Sequence, residues 1–238
     1  MVNTVQPRFT PEQLKEISDS FETKRPEDVL TWGFETFGEK FALASSFGGE
    51  SGTVLVDMAV KINPKVKVYS IDTAFLFPET YQEIEDTKHH YGIKPILFKS
   101  KFTPEEQAAK YGPELWKREP DLCCNLRKVE PQDRAFSEMR LEAWGTGVRR
   151  DQASTRSAAG IVEWNTKFNM VKLNPVAHWN KQQIWKYIAD NNLKYNPLLD
   201  QGYKSIGCTH CTRPVAPGED DRAGRWMGTD KIECGLNT

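Results

Sequence analysis

The feature that most constrains this chain is a repeated change of hydrophobic period. Short apolar runs bounded by turn residues lie at Lys40–Ser46, Val66–Ile71, Pro95–Phe98 and Ala143–Thr146. The first three each lead into a segment of helical period, and a helix beginning near Pro131 leads into the fourth. The helix after Gly49 places Val54, Leu55, Met58 and Ile62 on one face; Pro78 opens another, and Thr103-Pro104-Glu105-Glu106 is a capping box. Buried strands alternating with helices imply an α/β fold, a mostly parallel sheet with helices on both faces.

The flanks are read in the same way. Thr10-Pro11-Glu12-Gln13 caps a first helix, and a second spans Pro26 to Phe37. A last helix runs from Asn180 to Asn191 with Ile184, Trp185 and Ile188 inward. From Tyr195 the chain is rich in Pro and Gly with little periodicity, as in a site-bearing region with a mobile tail. The expected organisation is one domain, with a helical segment at 1–39, an α/β core at 40–200, and a segment at 201–238 that carries a site and tail. With 238 residues the chain can bury a substantial core.

Composition excludes more than it identifies. A net charge of −1 makes no electrostatic case for a nucleic-acid or membrane partner. No run approaches the roughly 20 apolar residues of a membrane span. The start, MVNTVQPRFTPEQL, lacks the regions of a secretory signal, so a cytoplasmic location is expected.

Candidate anion sites cluster after the strands. Ser45-Ser46-Phe47-Gly48-Gly49-Glu50-Ser51 forms a strand–turn–helix whose glycines, hydroxyls and helix start can cradle an anion. It matches neither the P-loop nor the dinucleotide fingerprint, and an ordinary turn reads equally well. Asp72 follows the second strand on the carboxyl edge, where open α/β sheets bind ligands, although an Asp there often only caps a helix. Arg149, Arg150 and Arg156 sit in a loop after the fourth strand, suited to phosphate or sulfate oxygens. Arg222 and Arg225 form a second pair, beside Glu219, Asp220 and Asp221.

Five cysteines remain. Cys123 and Cys124 are adjacent, and Cys208 and Cys211 form a C-x-x-C. Neighbouring Cα atoms lie about 3.8 Å apart, below the usual disulfide range of roughly 4.4–6.8 Å, so the tandem pair is poorly suited to bridge itself. Four thiolates in two pairs can bind Zn²⁺ or an iron–sulfur cluster. A tandem pair splays its sulfurs apart, which fits a multi-iron cluster better. Cys234 stands alone near the end of the chain, exposed and available as a thiolate nucleophile or incidental to function.

Together SSFGGES, IDTAFLFPETY, CCNLRKVEP, GVRRDQASTR, YNPLLDQGYKSIGCTHC, AGRW and KIECGL resemble the adenylyl-sulfate (APS) and 3′-phosphoadenylyl-sulfate (PAPS) reductase family, of adenine nucleotide α-hydrolase-like fold. The resemblance covers nearly the whole chain after about residue 25. It implies that Cys123, Cys124, Cys208 and Cys211 ligate a [4Fe–4S] cluster, making 201–238 a cluster-binding segment and catalytic tail. It implies that Lys128, Arg222 and Arg225 hold the phosphosulfate, and that Ser45 to Gly49 with the Arg149–Arg156 loop hold the nucleotide. Cys234 would be the nucleophile, thioredoxin or glutaredoxin the reductant, and the protein a homo-oligomer in sulfate assimilation and cysteine biosynthesis. The cysteine-bearing branch leans toward APS over PAPS.

Two positions depart from the family pattern. Asn237 stands where the family tail carries His; Asn can donate a hydrogen bond to substrate oxygens but cannot carry charge. Ala74 stands where the family has Gly, which puts that loop's backbone shape in question. Rival readings are a PAPS or dual-substrate reductase, a nucleotide-dependent sulfurtransferase of the same fold, and a non-enzymatic cluster-bearing redox sensor.

Overall fold

Side-chain caps start the helices where the sequence places them. Thr10, Thr103 and Asn180 each accept from the backbone N–H three residues on, while Gln13, Glu106 and Gln183 accept the cap's own N–H in return. The computed structural model describes residues 8–237, so the first half of the opening stretch read for a secretory signal lies outside the described residues.

The elements run α1 (Pro11–Ser20), α2 (Pro26–Phe37), β1 (Phe41–Ala44), α3 (Glu50–Ile62), β2 (Val68–Asp72), α4 (Pro78–Tyr91) and β3 (Ile96–Lys99). They continue with α5 (Pro104–Tyr111), the short α6 (Leu115–Arg118) and α7 (Pro120–Cys124), then α8 (Glu130–Glu138) and β4 (Ala143–Gly145). The last are β5 (Val162–Asn165), β6 (Met170–Leu173) and α9 (Lys181–Asp190). Between α7 and α8 the residues Asn125–Val129 form a π-helical stretch.

The six strands lie in the order β3-β2-β1-β4-β6-β5, all parallel except the antiparallel pair β5–β6. Strand period divides the core in two. Phe41 and Leu43 of β1 join Leu30, Val54, Leu55, Met58, Ile184 and Ile188 on one side; Ala42 joins Tyr69, Phe136 and Trp144 on the other. Ile184 and Ile188 are buried as the pattern requires, and Trp185 packs partly buried beside them. The expected parallel α/β sheet covered on both faces is therefore present.

The periodicity does not disclose β5 and β6. Unlike the apolar run at β1, β5 carries Glu163 and Asn165, and β6 carries the buried Lys172, so neither stands out as an apolar run. From β3 the chain returns across β1 to β4, so β1 and β4 diverge at a topological switch point, where open α/β sheets bind ligands.

Candidate active site

A cleft opens at that switch point, above the carboxyl ends of β1, β2 and β4, with about 1380 Å³ of space that is partly open to solvent. Its floor is held by backbone. The Ser45 N–H donates to Tyr69 O at 3.0 Å and the Thr146 N–H to Leu173 O at 2.8 Å, so both turns continue the sheet. Ser45 Oγ accepts from Phe47 N–H at 3.2 Å and Ser46 Oγ from Gly48 N–H at 3.4 Å. Gly147 is required by contact: a Cβ there would stand 3.0 Å from the backbone of Ser51 and Gly52 at the start of α3.

The residues singled out in the sequence divide on this floor. Ser45, Ser46, Gly49, Arg149 and Arg156 line the cleft. Phe47 is buried with φ +52, its ring in the core, and neither it nor Gly48 is among the lining residues. Asp72 also lies outside the lining, accepting from the Ala74 N–H at 2.9 Å and from the Tyr81 hydroxyl at 2.7 Å. That turn holds Ala74 at φ +57, the left-handed region that favours the glycine of the family pattern. Arg150 points away to a pair with Glu22 at 2.5 Å and to the Ala159 carbonyl. Arg149 is almost wholly buried between Glu50 and Asp151, each at 2.8 Å, and also bonds Ser51 Oγ.

The roof is built from side chains. The segment after Tyr203 meets Leu76 through an isolated bridge at Cys208, closes on itself between Thr212 and Arg225, and folds the tail over the cleft. Lys128, Arg222, Arg225, Cys234 and Asn237 all face the same space. Four cations surround the buried Trp226 ring: Arg225 at 4.4 Å, Arg222 and Lys231 at 5.6 Å, and Lys128 at 5.7 Å from its centroid. Lys231 pairs with Asp121, and Arg222 with Glu233 at 3.1 Å. Lys128 and Arg225 have no carboxylate partner among the described residues.

Glu233 sits between Arg156 at 2.9 Å and Arg222 at 3.1 Å. Burial opposes its charge, but the two guanidiniums outweigh this and hold its pKa below the usual carboxylate range. Burial pulls Arg222 down to about 10 in spite of Glu233, with Arg156 and Arg225 adding to the fall. For Cys234 burial again opposes ionisation; Lys128, the Leu236 N–H and Arg225 outweigh it, and the thiol's pKa falls below its ordinary value. Burial acts against the Lys128 ammonium, yet the sulfurs of Cys208, Cys234 and Cys124 raise its pKa.

Cys123, Cys124, Cys208 and Cys211 are buried free thiols brought around one small cavity, which Phe75, Trp116, Arg127, Lys128 and His210 also line. No three ligand-type side chains among the described residues converge on a point suited to a single metal ion. Four thiols facing one small gap are a donor set that fits a multi-iron cluster. Two orphaned donors support that fit. Arg127 Nη2 beside the cavity and Trp226 Nε1, packed against Cys124, Cys208 and Cys211, are buried with no hydrogen-bond partner. Sulfur atoms of an anionic cluster accept such N–H groups. Without a cation, burial pushes Cys123 up to about 11 and Cys211 up to about 12.

Several residues here escaped the sequence reading. Arg127 is fully buried, donating to Gln107 Oε1 at 2.7 Å and to the Thr73 carbonyl at 2.8 Å, with its guanidinium 4.2 Å from the Phe75 centroid. Its only signal was its place four residues after Cys123, on the π-helical stretch that also turns Lys128 inward. Glu233 lies inside the KIECGL motif but carried no separate signal.

The family described as phosphoadenosine phosphosulfate reductase domain matches residues 40–214. Adenosine 5′-phosphosulfate reductase of Halalkalibacterium halodurans is 45% identical over 225 residues, covering 94% of this chain and 96% of that protein. Adenosine 5′-phosphosulfate reductase 2 of Bacillus subtilis is 46% identical over 211 residues, 88% of each chain. The crystal structure of PAPS reductase from Candida auris, a phosphate complex, superposes with a TM-score of 0.77 at 33% identity, covering 86% of this chain and 98% of that one.

Proposed function

The chain belongs to the phosphoadenosine phosphosulfate reductase family, and from that premise we propose that it reduces adenylyl sulfate to sulfite and AMP through an S-sulfocysteine on Cys234. The observation that carries this reading is the company Cys234 keeps: a thiol of lowered pKa faces a nucleotide-sized cleft together with Lys128 and Arg225, two cations without carboxylate partners among the described residues. Such cations call for an anionic ligand. The relatives named for APS at 45–46% identity support APS over PAPS.

Ser45, Ser46, Gly49 and Thr146 on the floor would seat the nucleotide, with Lys128, Arg222 and Arg225 holding the phosphosulfate. Cys234 Sγ attacks the sulfonate sulfur; the S–S bond forms as the sulfur–oxygen bond breaks, and AMP leaves with the electron pair. The cations stabilise charge developing on the leaving phosphate. A thiolate of a thioredoxin or glutaredoxin type of dithiol then attacks Cys234 Sγ and expels sulfite. Its second thiol resolves the mixed disulfide and returns Cys234.

Cys123, Cys124, Cys208 and Cys211 would hold the [4Fe–4S] cluster, which when bound supplies a fixed charge beside Lys128 and ties the two cysteine pairs together. The buried free thiols and a dithiol reductant fit a reducing compartment such as the cytoplasm; no helix among the described residues is long and apolar enough to cross a membrane.

Anaerobic intact-protein mass spectrometry after mixing with APS, and separately PAPS, without thiol tests this. The expected result is one sulfonate adduct mapped to Cys234, formed faster with APS. Protein that holds its cluster yet gains no adduct from either nucleotide would overturn the reaction.

A further inference from the structure

The tail is held through its main chain. Gly235, Leu236 and Asn237 each offer a carbonyl oxygen to a side chain, two of these on the β5–β6 hairpin and one on α8. Lys167 Nζ donates to Gly235 O at 2.6 Å, Gln132 Nε2 to Leu236 O at 2.9 Å, and Lys172 Nζ to Asn237 O at 2.9 Å. Lys167 is exposed, but Gln132 on α8 and Lys172 on β6 are each only 2% exposed. Burying an amide or an ammonium is costly unless it is partnered. Glu163 on β5 balances Lys172 at 3.0 Å, and the Asn237 carbonyl accepts one of its remaining N–H groups. The chain enters this grip through Gly235 at φ +85, directly after Cys234; a Cβ there would stand 2.9 Å from Lys167 Nζ and 3.2 Å from Val129 Cγ2.

We propose that Gln132 and Lys172 are positioning residues, a backbone dock that holds the closed tail so that Cys234 stands in line with the bound sulfonate. The proposal rests on the reading of Cys234 as the group that takes the sulfonate. The dock recognises carbonyls, not side chains, so the position of the tail does not depend on an imidazole at 237; the main chain of Asn237 is what Lys172 holds. Because the dock bonds the main chain of the tail and not the floor that would seat the nucleotide, its loss is expected to lower the rate of the chemical step more than substrate affinity.

The test uses the full-length protein isolated anaerobically, with Gln132→Leu as the near-isosteric variant that removes one donor. Lys172→Met removes the other, and Lys172→Arg keeps a donor as the conservative control. Amide hydrogen exchange across 234–237 is measured without nucleotide, and formation of the Cys234 adduct is followed by mass at varied APS. Gln132→Leu is expected to speed tail exchange by about tenfold and to lower the saturating adduct rate by a similar factor. The APS concentration at half-maximal rate should move by less than about twofold. Lys172→Met should behave likewise, and Lys172→Arg should stay near the parent. Since Lys172→Met leaves Glu163 unpaired and can fail to fold, Gln132→Leu decides the matter. Unchanged tail exchange in Gln132→Leu, or a rate loss matched by lost affinity, overturns the dock. If the parent forms no adduct, it is the reading of Cys234 that fails, and the exchange measurement still decides the dock.

Discussion

The floor and the roof of the cleft are built on different physics. The floor turns extend a parallel sheet, with Ser45 and Thr146 bonded through backbone N–H groups to the neighbouring strands and an apolar core beneath. The roof has almost no regular structure after Gln201. It is assembled from cations around Trp226, a carboxylate shared by two arginines, buried thiols and a tail gripped by its carbonyls. A surface closed by backbone pairing and apolar burial needs no ligand to complete it. One closed by unpaired cations and buried thiols does, and that is where the chemistry is proposed.

The largest effect should come from the roof. Cys234→Ser is expected to cut sulfite formation by a factor on the order of 10⁴ or more while AMP binding to the floor persists. Steady-state sulfite release and calorimetric AMP titration check it; a variant that lost AMP affinity in parallel would mean that floor and roof are not separable.

Next is the floor's own ion pair. Arg149→Ala leaves Glu50 buried without its partner and should destabilise the fold by about 3–5 kcal/mol in denaturant unfolding. A cost below about 1 kcal/mol, typical of surface pairs, would show that the floor is not the rigid half.

The smallest effect separates the pH response of the scaffold from that of the site. Burial, helped by Asp86 and opposed by Lys194, pushes the Glu83 carboxyl on α4 up to about 7 from 4.5. The folded state then binds this proton more tightly than the unfolded state. Stability falls as pH rises from about 4.5 to about 7, and the full cost is present above that window. Glu83→Gln should flatten this slope and raise stability at pH 8 by about 2 kcal/mol, with little change below pH 4. Unfolding midpoints across pH 4–8 measure it; an unaltered slope would assign the pH dependence to other groups.

Much of the scaffold was legible in the chain. The capping boxes at Thr10, Thr103 and Asn180 and the first four strands are local statements, settled by residues three or four apart or by short apolar runs bounded by turn residues. The pairing of cysteines was legible too, because Cys123–Cys124 and Cys208–Cys211 are close in sequence before they are close in space. The strands β5 and β6 were not, being interrupted by polar residues, in β6 by a lysine whose burial depends on Glu163 and the tail.

What the sequence by itself determined was the alternating α/β framework, the two cysteine pairs and the supply of arginines. Only the tertiary structure decided which arginines remain available. Arg149 meets Glu50 from 99 residues away and Arg150 meets Glu22 from 128 residues away, whereas Arg225 meets no carboxylate among the described residues. Periodicity and capping are short-range and readable from neighbours along the chain; the partner of a charge is whatever the fold brings within about 4 Å, and sequence spacing carries no information about that distance.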